Sequence, residues 1–193
     1  MQRVTAFIDG FNLYYGLLDK GWRRYLWLDI QAFISSILLK NQSLTQVRYY
    51  TSIVHSPEDK RLRHQRYLDA ISTYPIVEIT LGRFYTNQNI SKEKMTDVNI
   101  AVDMISGAVL DEYDVALLVT GDSDLVPAVK AVNRLRSDKR IVVVFPPKRE
   151  SYELKQVCHA YKLTREHHFA NSVLPDPVIT SADLRLNCPD SWK

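Results

Sequence analysis

Cysteine is scarce in this chain: Cys158 and Cys188 are the only two among 193 residues. They stand far apart and without metal-ligand spacing, so a disulfide scaffold is excluded and two reduced thiols in a cytoplasmic protein are expected. No run of about 18 apolar residues occurs, so no membrane-spanning helix is expected. The apolar part of the opening M-Q-R-V-T-A-F-I-D-G is too short for a secretory leader, and it flows directly into a strand pattern. One-sided charge is also lacking. The 25 Lys and Arg against 22 Asp and Glu leave a net charge of +3, which permits nucleic-acid binding without demanding it. Glu166, His167 and His168 have no ligand spacing, and there is no internal repeat or low-complexity block. What remains is the composition of an ordinary globular protein, 46% apolar and 24% charged, long enough for one domain with a sizeable core.

Two stretches organise the rest. The first, residues 114–125, reads D-V-A-L-L-V-T-G-D-S-D-L. Its apolar run, 115–119, suits a strand buried on both faces of a parallel sheet. Gly121 permits a sharp turn, Ser123 is a candidate helix cap, and Pro127 suits an early helical turn. The second, V-T-A-F-I-D-G at 4–10, is another apolar strand ending in Asp-Gly, followed by a helix start at Phe11 and Asn12. Acidic groups at this kind of junction lie where open α/β folds bind ligands. If the two strands are parallel neighbours, Asp9 and Asp122 approach, and their repulsion calls for proton uptake or a cation. The plainer alternative is that these aspartates only cap helices and face water.

Strand and helix signals alternate along the whole chain, which predicts one three-layer α/β domain. Strands are expected at 47–54, at 76–80 with a continuation to 85, and at 141–145; residues 41–45 read as a turn and 86–92 as a polar loop. Helices are expected at 12–18, 30–39 behind a capping Asp29, 58–72, 97–109, 125–135 and 151–163. Asp97 opens its helix, whereas Asp103 lies six residues on, roughly 600° around at about 100° per residue. Asp97 is therefore the better partner for the strand-end acids. Asp103 enters only if the helix crosses obliquely; otherwise it orients a base or basic side chain nearby. Arg23 and Arg24 alternate with Trp22, Tyr25 and Trp27, a pattern that serves either packing or base stacking. Lys60, Arg61 and Arg63 form a basic helix side, which suits phosphate contact and solvent equally. After Phe169 the chain turns irregular, with Pro175, Pro177 and Pro189 among apolar Val173, Leu174, Val178, Ile179 and Trp192. That tail either packs on its own domain or covers a twin subunit in a homodimer.

The segments I-D-G-F-N-L-Y, T-D-V-N-I-A-V-D-M and V-T-G-D-S-D-L-V-P-A-V, in this order, resemble the NYN domain, a relative of PIN nucleases. The likeness runs over 4–163 and divides the chain into a domain at 1–169 and an extension at 170–193. It implies a PIN-like fold with a central, mostly parallel five-stranded sheet in the order 3-2-1-4-5. It implies a ribonuclease dependent on Mg2+ or Mn2+, with RNA as partner. The family's first catalytic aspartate falls on Asp9, its asparagine on Asn12, its next acids on Asp97 and Asp103, and its last pair on Asp122 and Asp124. Lys94 falls where many relatives carry lysine, while Met95 and Thr96 replace the more usual glycine and apolar residue.

Carboxylates suit these hard cations, and the nucleophile would be a metal-activated water. On this reading Asp9, Asp97 and Asp122 bind the ion directly or through water. Asp124 holds a ligand water or a second ion, and Asn12 orients a carboxylate or touches phosphate. Thr120, Ser123 and Asp103 support from behind. Ser123 lacks a histidine base and is not read as a nucleophile. Arg23, Arg24, Lys60, Arg61, Arg63 and Lys94 are the candidate nucleic-acid contacts. A non-catalytic RNA-binding module and a metal-dependent phosphatase acting on a small substrate are the alternatives.

Overall fold

The computed structural model describes residues 1–87 and 90–193, with only the backbone described at 83–87 and 90–94. In chain order the elements are β1 (Gln2–Asp9), α1 (Gly10–Asp19), α2 (Ile30–Ser35), β2 (Gln42–Ser52), α3 (Glu58–Ile71) and β3 (Val77–Asn87). Then follow β4 (Ile90–Lys94), α4 (Thr96–Val109), β5 (Val115–Val119), α5 (Val126–Leu135), β6 (Arg140–Phe145), α6 (Tyr152–Val157) and β7 (Ala160–Leu163). A short α7 (Glu166–Ala170) and a small hairpin, β8 (Val178–Ile179) with β9 (Arg185–Leu186), complete the chain.

The strands lie in the order β4-β3-β2-β1-β5-β6-β7, and all but β4 run parallel. The expected order of the five strands read from the sequence is present, with one parallel strand and one antiparallel strand added at the edges. Alternation along the central strands explains the three layers. Val4, Ala6 and Ile8 face α1 and α2 through Leu13, Leu17, Ile30 and Phe33. Phe7, Ala116 and Leu118 face α4 and α5 through Ile100, Met104 and Val129. Every residue of β5 is buried, as its uninterrupted apolar run requires.

Four local expectations are corrected. The helix expected over 151–163 stops at Val157, because Cys158 turns to extended backbone (φ −80°, ψ 159°) and β7 then pairs with the edge of β6. The helix expected over 30–39 ends at Ser35, although Asp29 caps it as predicted, accepting from Ala32 N–H at 2.9 Å. Of residues 41–45 only Asn41 is in a turn: β2 starts at Gln42 and pairs with β1 from Gln2 onward, with a register shift between Val4 and Thr5. Of the polar loop expected at 86–92, residues 88 and 89 lie outside the described residues, and 86–87 and 90–92 pair as antiparallel β3 and β4, so ladder hydrogen bonds override the polar composition there.

The extension folds back on its own domain. Leu174, Val178 and Trp192 are buried, while Val173 and Ile179 stay exposed. Trp27 donates its indole N–H to the Pro175 carbonyl at 3.0 Å. The Trp192 ring lies 5.9 Å from Tyr67, 6.4 Å from Tyr14 and 6.5 Å from Trp27, centroid to centroid. Such ring contacts add to the area they bury. Among the described residues no helix is long and apolar enough to cross a membrane. Trp192→Ala is expected to cost about 3–5 kcal/mol in urea unfolding, the range for emptying a buried aromatic site. A loss below about 1 kcal/mol would show that the tail is no part of the core.

Candidate active site

β1 and β5 are parallel neighbours, with Ile8 opposite Val119, so both deliver their next residues to one edge of the sheet. Asp9, the last residue of β1, is buried at 6% exposure. Its Oδ1 accepts the Asn12 N–H at 3.0 Å, which caps α1, and its Oδ2 accepts the Thr120 hydroxyl at 3.2 Å. The cap places the carboxylate at the positive end of α1. Asn12 Oδ1 accepts the Gly121 N–H at 2.9 Å, and the Thr120 hydroxyl oxygen accepts the Asp122 N–H at 3.1 Å. A closed set of hydrogen bonds thus ties the β1–α1 turn to the turn after β5.

Two glycines permit this closeness. A Cβ on Gly10 would meet the Tyr49 ring at 2.6 Å and the Tyr50 carbonyl oxygen at 2.8 Å. One on Gly121 would meet the Arg149 carbonyl oxygen at 2.6 Å. The second approach brings Arg149, at the exit of β6, against the strand-end turn.

Asp9, Asn12, Asp97 and Asp122 line one cavity of about 210 Å³, together with Arg149 and Met95. Asp97 stands in the first turn of α4, as its sequence position requires. Met95 precedes that helix in the left-handed region at φ 83°, where glycine is the usual occupant. Arg149 was not singled out from the sequence. Its position beyond the carboxyl end of a parallel strand, the same signal that marks the aspartates, identifies it. Its guanidinium pairs with Asp19, and its buried Nε has no hydrogen-bond partner among the described residues.

The other expected site residues divide. Asp124 and Ser123 are exposed in a 3-10 turn outside the cavity wall, and the cap of that turn is Asp122, not Ser123: Asp122 Oδ1 accepts the Asp124 N–H at 2.9 Å. Thr120 is fully buried behind Asp9. Asp103 is not a wall of the cavity; it accepts the Tyr50 hydroxyl at 2.8 Å and lies 3.9 Å from Arg48. Burial and that hydrogen bond to Asp103 push the Tyr50 hydroxyl well above the ordinary tyrosine range. Among the basic residues, Arg24 pairs with Glu166 at 2.5 Å, Arg61 with Glu58 at 2.6 Å and Arg63 with Asp59 at 2.6 Å. Arg23, Lys60 and Arg63 line a second, larger cavity that shares Phe11 and Tyr15 with the first. The Lys94 side chain lies outside the described residues.

The acidic wall consists of oxygen donors, the chemistry that Mg2+ and Mn2+ select. Among the described residues no three acidic, histidine or cysteine side chains are gathered closely enough to enclose an ion. Mg2+ keeps several waters and takes only one or two protein carboxylates, so separated acids lining one cavity fit it without a closed cage.

The NYN domain pattern matches residues 3–164. The chain belongs to the NYN domain family. The NYN domain is one of the PIN-like nuclease families, and the match covers all the elements that carry the acids. A curated relative of this NYN domain is 6-hydroxy-3-succinoylpyridine 3-monooxygenase HspA of Pseudomonas putida, 25% identical over 188 residues, covering 75% of this chain and 59% of that protein. The chain therefore spans less than two thirds of that relative. A solved structure from Vibrio parahaemolyticus, of a protein of unknown function, has the same fold: TM-score 0.62 at 19% identity, over 87% of this chain and 95% of that one.

Two predictions follow from these contacts. Asp9→Ala removes a helix cap and the acceptor of a buried hydroxyl, so it is expected to cost about 1–2 kcal/mol or more. Asp122→Asn keeps a good capping group and is expected to stay within about 0.5 kcal/mol of wild type. Urea midpoints of both variants check the pair, and equal losses would contradict it.

His64, in the wall of the larger cavity, has its pKa pulled from 6.5 down to about 4 by burial. Between those values the unfolded chain takes up a proton that the folded protein refuses. This contribution to stability is complete above pH 6.5 and falls away as pH drops towards 4. His64→Gln should flatten that part of the stability profile, and parallel profiles for the two proteins would refute the assignment.

Proposed function

We propose that this NYN domain is a ribonuclease that hydrolyses RNA phosphodiester bonds with Mg2+ or Mn2+ held by Asp9, Asp97 and Asp122, directly or through the ion's own waters. The observation that carries the reading is the shared cavity: acids from the end of β1, the start of α4 and the turn after β5 line it together. When bound, the ion supplies polarisation of the phosphate and acidification of a water. The chain's own residues do the positioning. Asp9 is held in orientation by Asn12 N–H and the Thr120 hydroxyl. Asn12 locks the two turns together through Gly121. Arg149 provides the positive charge that meets the phosphate at the cavity wall. Asp124, exposed in the turn that follows Asp122, attracts hydrated cations from outside the cavity wall. Asp103 acts at a distance, by fixing Tyr50 and Arg48.

A second reading is action on a small aromatic molecule. It is favoured by the larger, aromatic-lined cavity alongside and by the relative named for 6-hydroxy-3-succinoylpyridine.

The test is cleavage of labelled RNA oligonucleotides by purified protein with Mg2+ or Mn2+. Excess chelator should abolish cleavage. Asp122→Asn should lower the rate by on the order of 100-fold or more, since loss of several kcal/mol of transition-state stabilisation has that size. Undiminished cleavage in chelator, or by folded Asp122→Asn protein, would sink the mechanism. RNA binding without cleavage would mark a non-catalytic RNA-binding module. Hydrolysis confined to small phosphorylated molecules would mark a phosphatase.

A further inference from the structure

The larger cavity, of about 590 Å³, opens beside α1 and α3 and is closed on one side by the C-terminal tail. This volume lies in the range of small-ligand sites. Its floor is aromatic and aliphatic, with Tyr49, Tyr67 and Trp192 beside Leu13 and Leu17. Its charged walls are Arg23, Lys60 and Arg63, and no aspartate or glutamate lines it among the described residues. The charges of Arg63 and Arg23 both oppose the upward pull of burial on the Tyr14 hydroxyl, so both guanidiniums act on one part of the cavity. His64 adds a neutral ring at the wall, its Nε2 3.3 Å from the Thr51 hydroxyl oxygen. The cavity is thus a ring-lined space whose lining charges are all positive, with Arg63 also paired to Asp59 outside the lining.

We infer that this cavity binds a nucleotide, its base against the aromatic floor and its phosphate at Arg23, Lys60 and Arg63. Aromatic side chains stack on any base face, and guanidinium and ammonium groups are the usual partners of phosphate. Phe11 and Tyr15 belong to both cavities, so the site lies one shared wall from the carboxylates. A nucleotide here is either a free molecule or one unit of an RNA strand that continues to the acidic cavity. The strand form rests on the ribonuclease reading; the free form does not.

Calorimetric titration of the full chain with AMP and UMP tests the inference, with ribose 5-phosphate and pyridine-3-carboxylate as controls. Mononucleotides should bind at least about tenfold more tightly than either control, because base and phosphate both contribute. Arg23→Gln combined with Lys60→Gln changes two exposed side chains, and should weaken mononucleotide binding about tenfold or more at unchanged thermal stability. A KM for RNA that rises in the same variant assigns the nucleotide to the strand, and an unchanged KM assigns it to a free molecule. Mononucleotide binding by a protein that cleaves no RNA would keep this site and remove the ribonuclease reading. Equal mononucleotide affinity in variant and wild type, or tighter binding of pyridine-3-carboxylate than of either nucleotide, would overturn the inference.

Discussion

A carboxylate buried at the end of a central strand must find hydrogen-bond donors, and Asp9 finds them in two separate parts of the chain. One donor is local, the Asn12 N–H at the start of α1. The other, Thr120, lies 111 residues away and reaches Asp9 only because β1 and β5 are parallel neighbours in fixed register. An uncompensated buried charge is far more costly than a surface one. The strand adjacency, the tight turns at Gly10 and Gly121, and the helix start at α1 therefore depend on one another. The same requirement explains why Asn12 faces inward to Gly121 and why the turn after β5 is so closely wired.

The two faces of the sheet have different duties. The face towards α4 and α5 is a compact aliphatic and aromatic layer. The opposite face receives α1, α2, α3 and the tail, and its packing is rich in rings: Tyr25, Trp27, Phe33, Tyr67, Phe169 and Trp192 are all buried. Phe33 and Phe169 stack at 4.9 Å, joining α2 to α7. Large rigid side chains fill space in few orientations. An incompletely filled ring-rich layer leaves a shaped cavity, and it is on this face that the larger one occurs.

Much of this organisation was legible in the sequence because the signals were local. A five-residue apolar run followed by Thr-Gly-Asp reads as a buried strand and a sharp turn, and β5 has the predicted bounds. The phase difference between Asp97 and Asp103 separated the cavity wall from the Tyr50–Arg48 contact. What was illegible depended on partners distant in sequence. Residues 160–163 join the sheet because β6 offers an open edge, although Tyr161 and Leu163 remain largely exposed and carry little burial signal. Gln42 and Ser43 are polar and enter β2 through backbone pairing with β1. Ser123 has the composition of a cap, but the turn geometry gives that role to Asp122. Arg149 is brought to the cavity by the path of β6, and Arg24 is drawn into an ion pair with Glu166 that no local spacing identifies, whereas the Arg61–Glu58 pair follows ordinary i,i+3 helical spacing.

Trp192 stands outside the matched span of 3–164, yet it forms part of the wall of the larger cavity. The acids sit entirely within that span. The chain therefore writes its reactive groups and part of its recognition surface in separate passages. Substitution in the last residues can reshape what the larger cavity admits while the carboxylate edge of the sheet keeps its wiring. One ring, Trp192, thus serves both the packing of the core and the outline of the larger cavity, so the tail couples stability to the shape of that space.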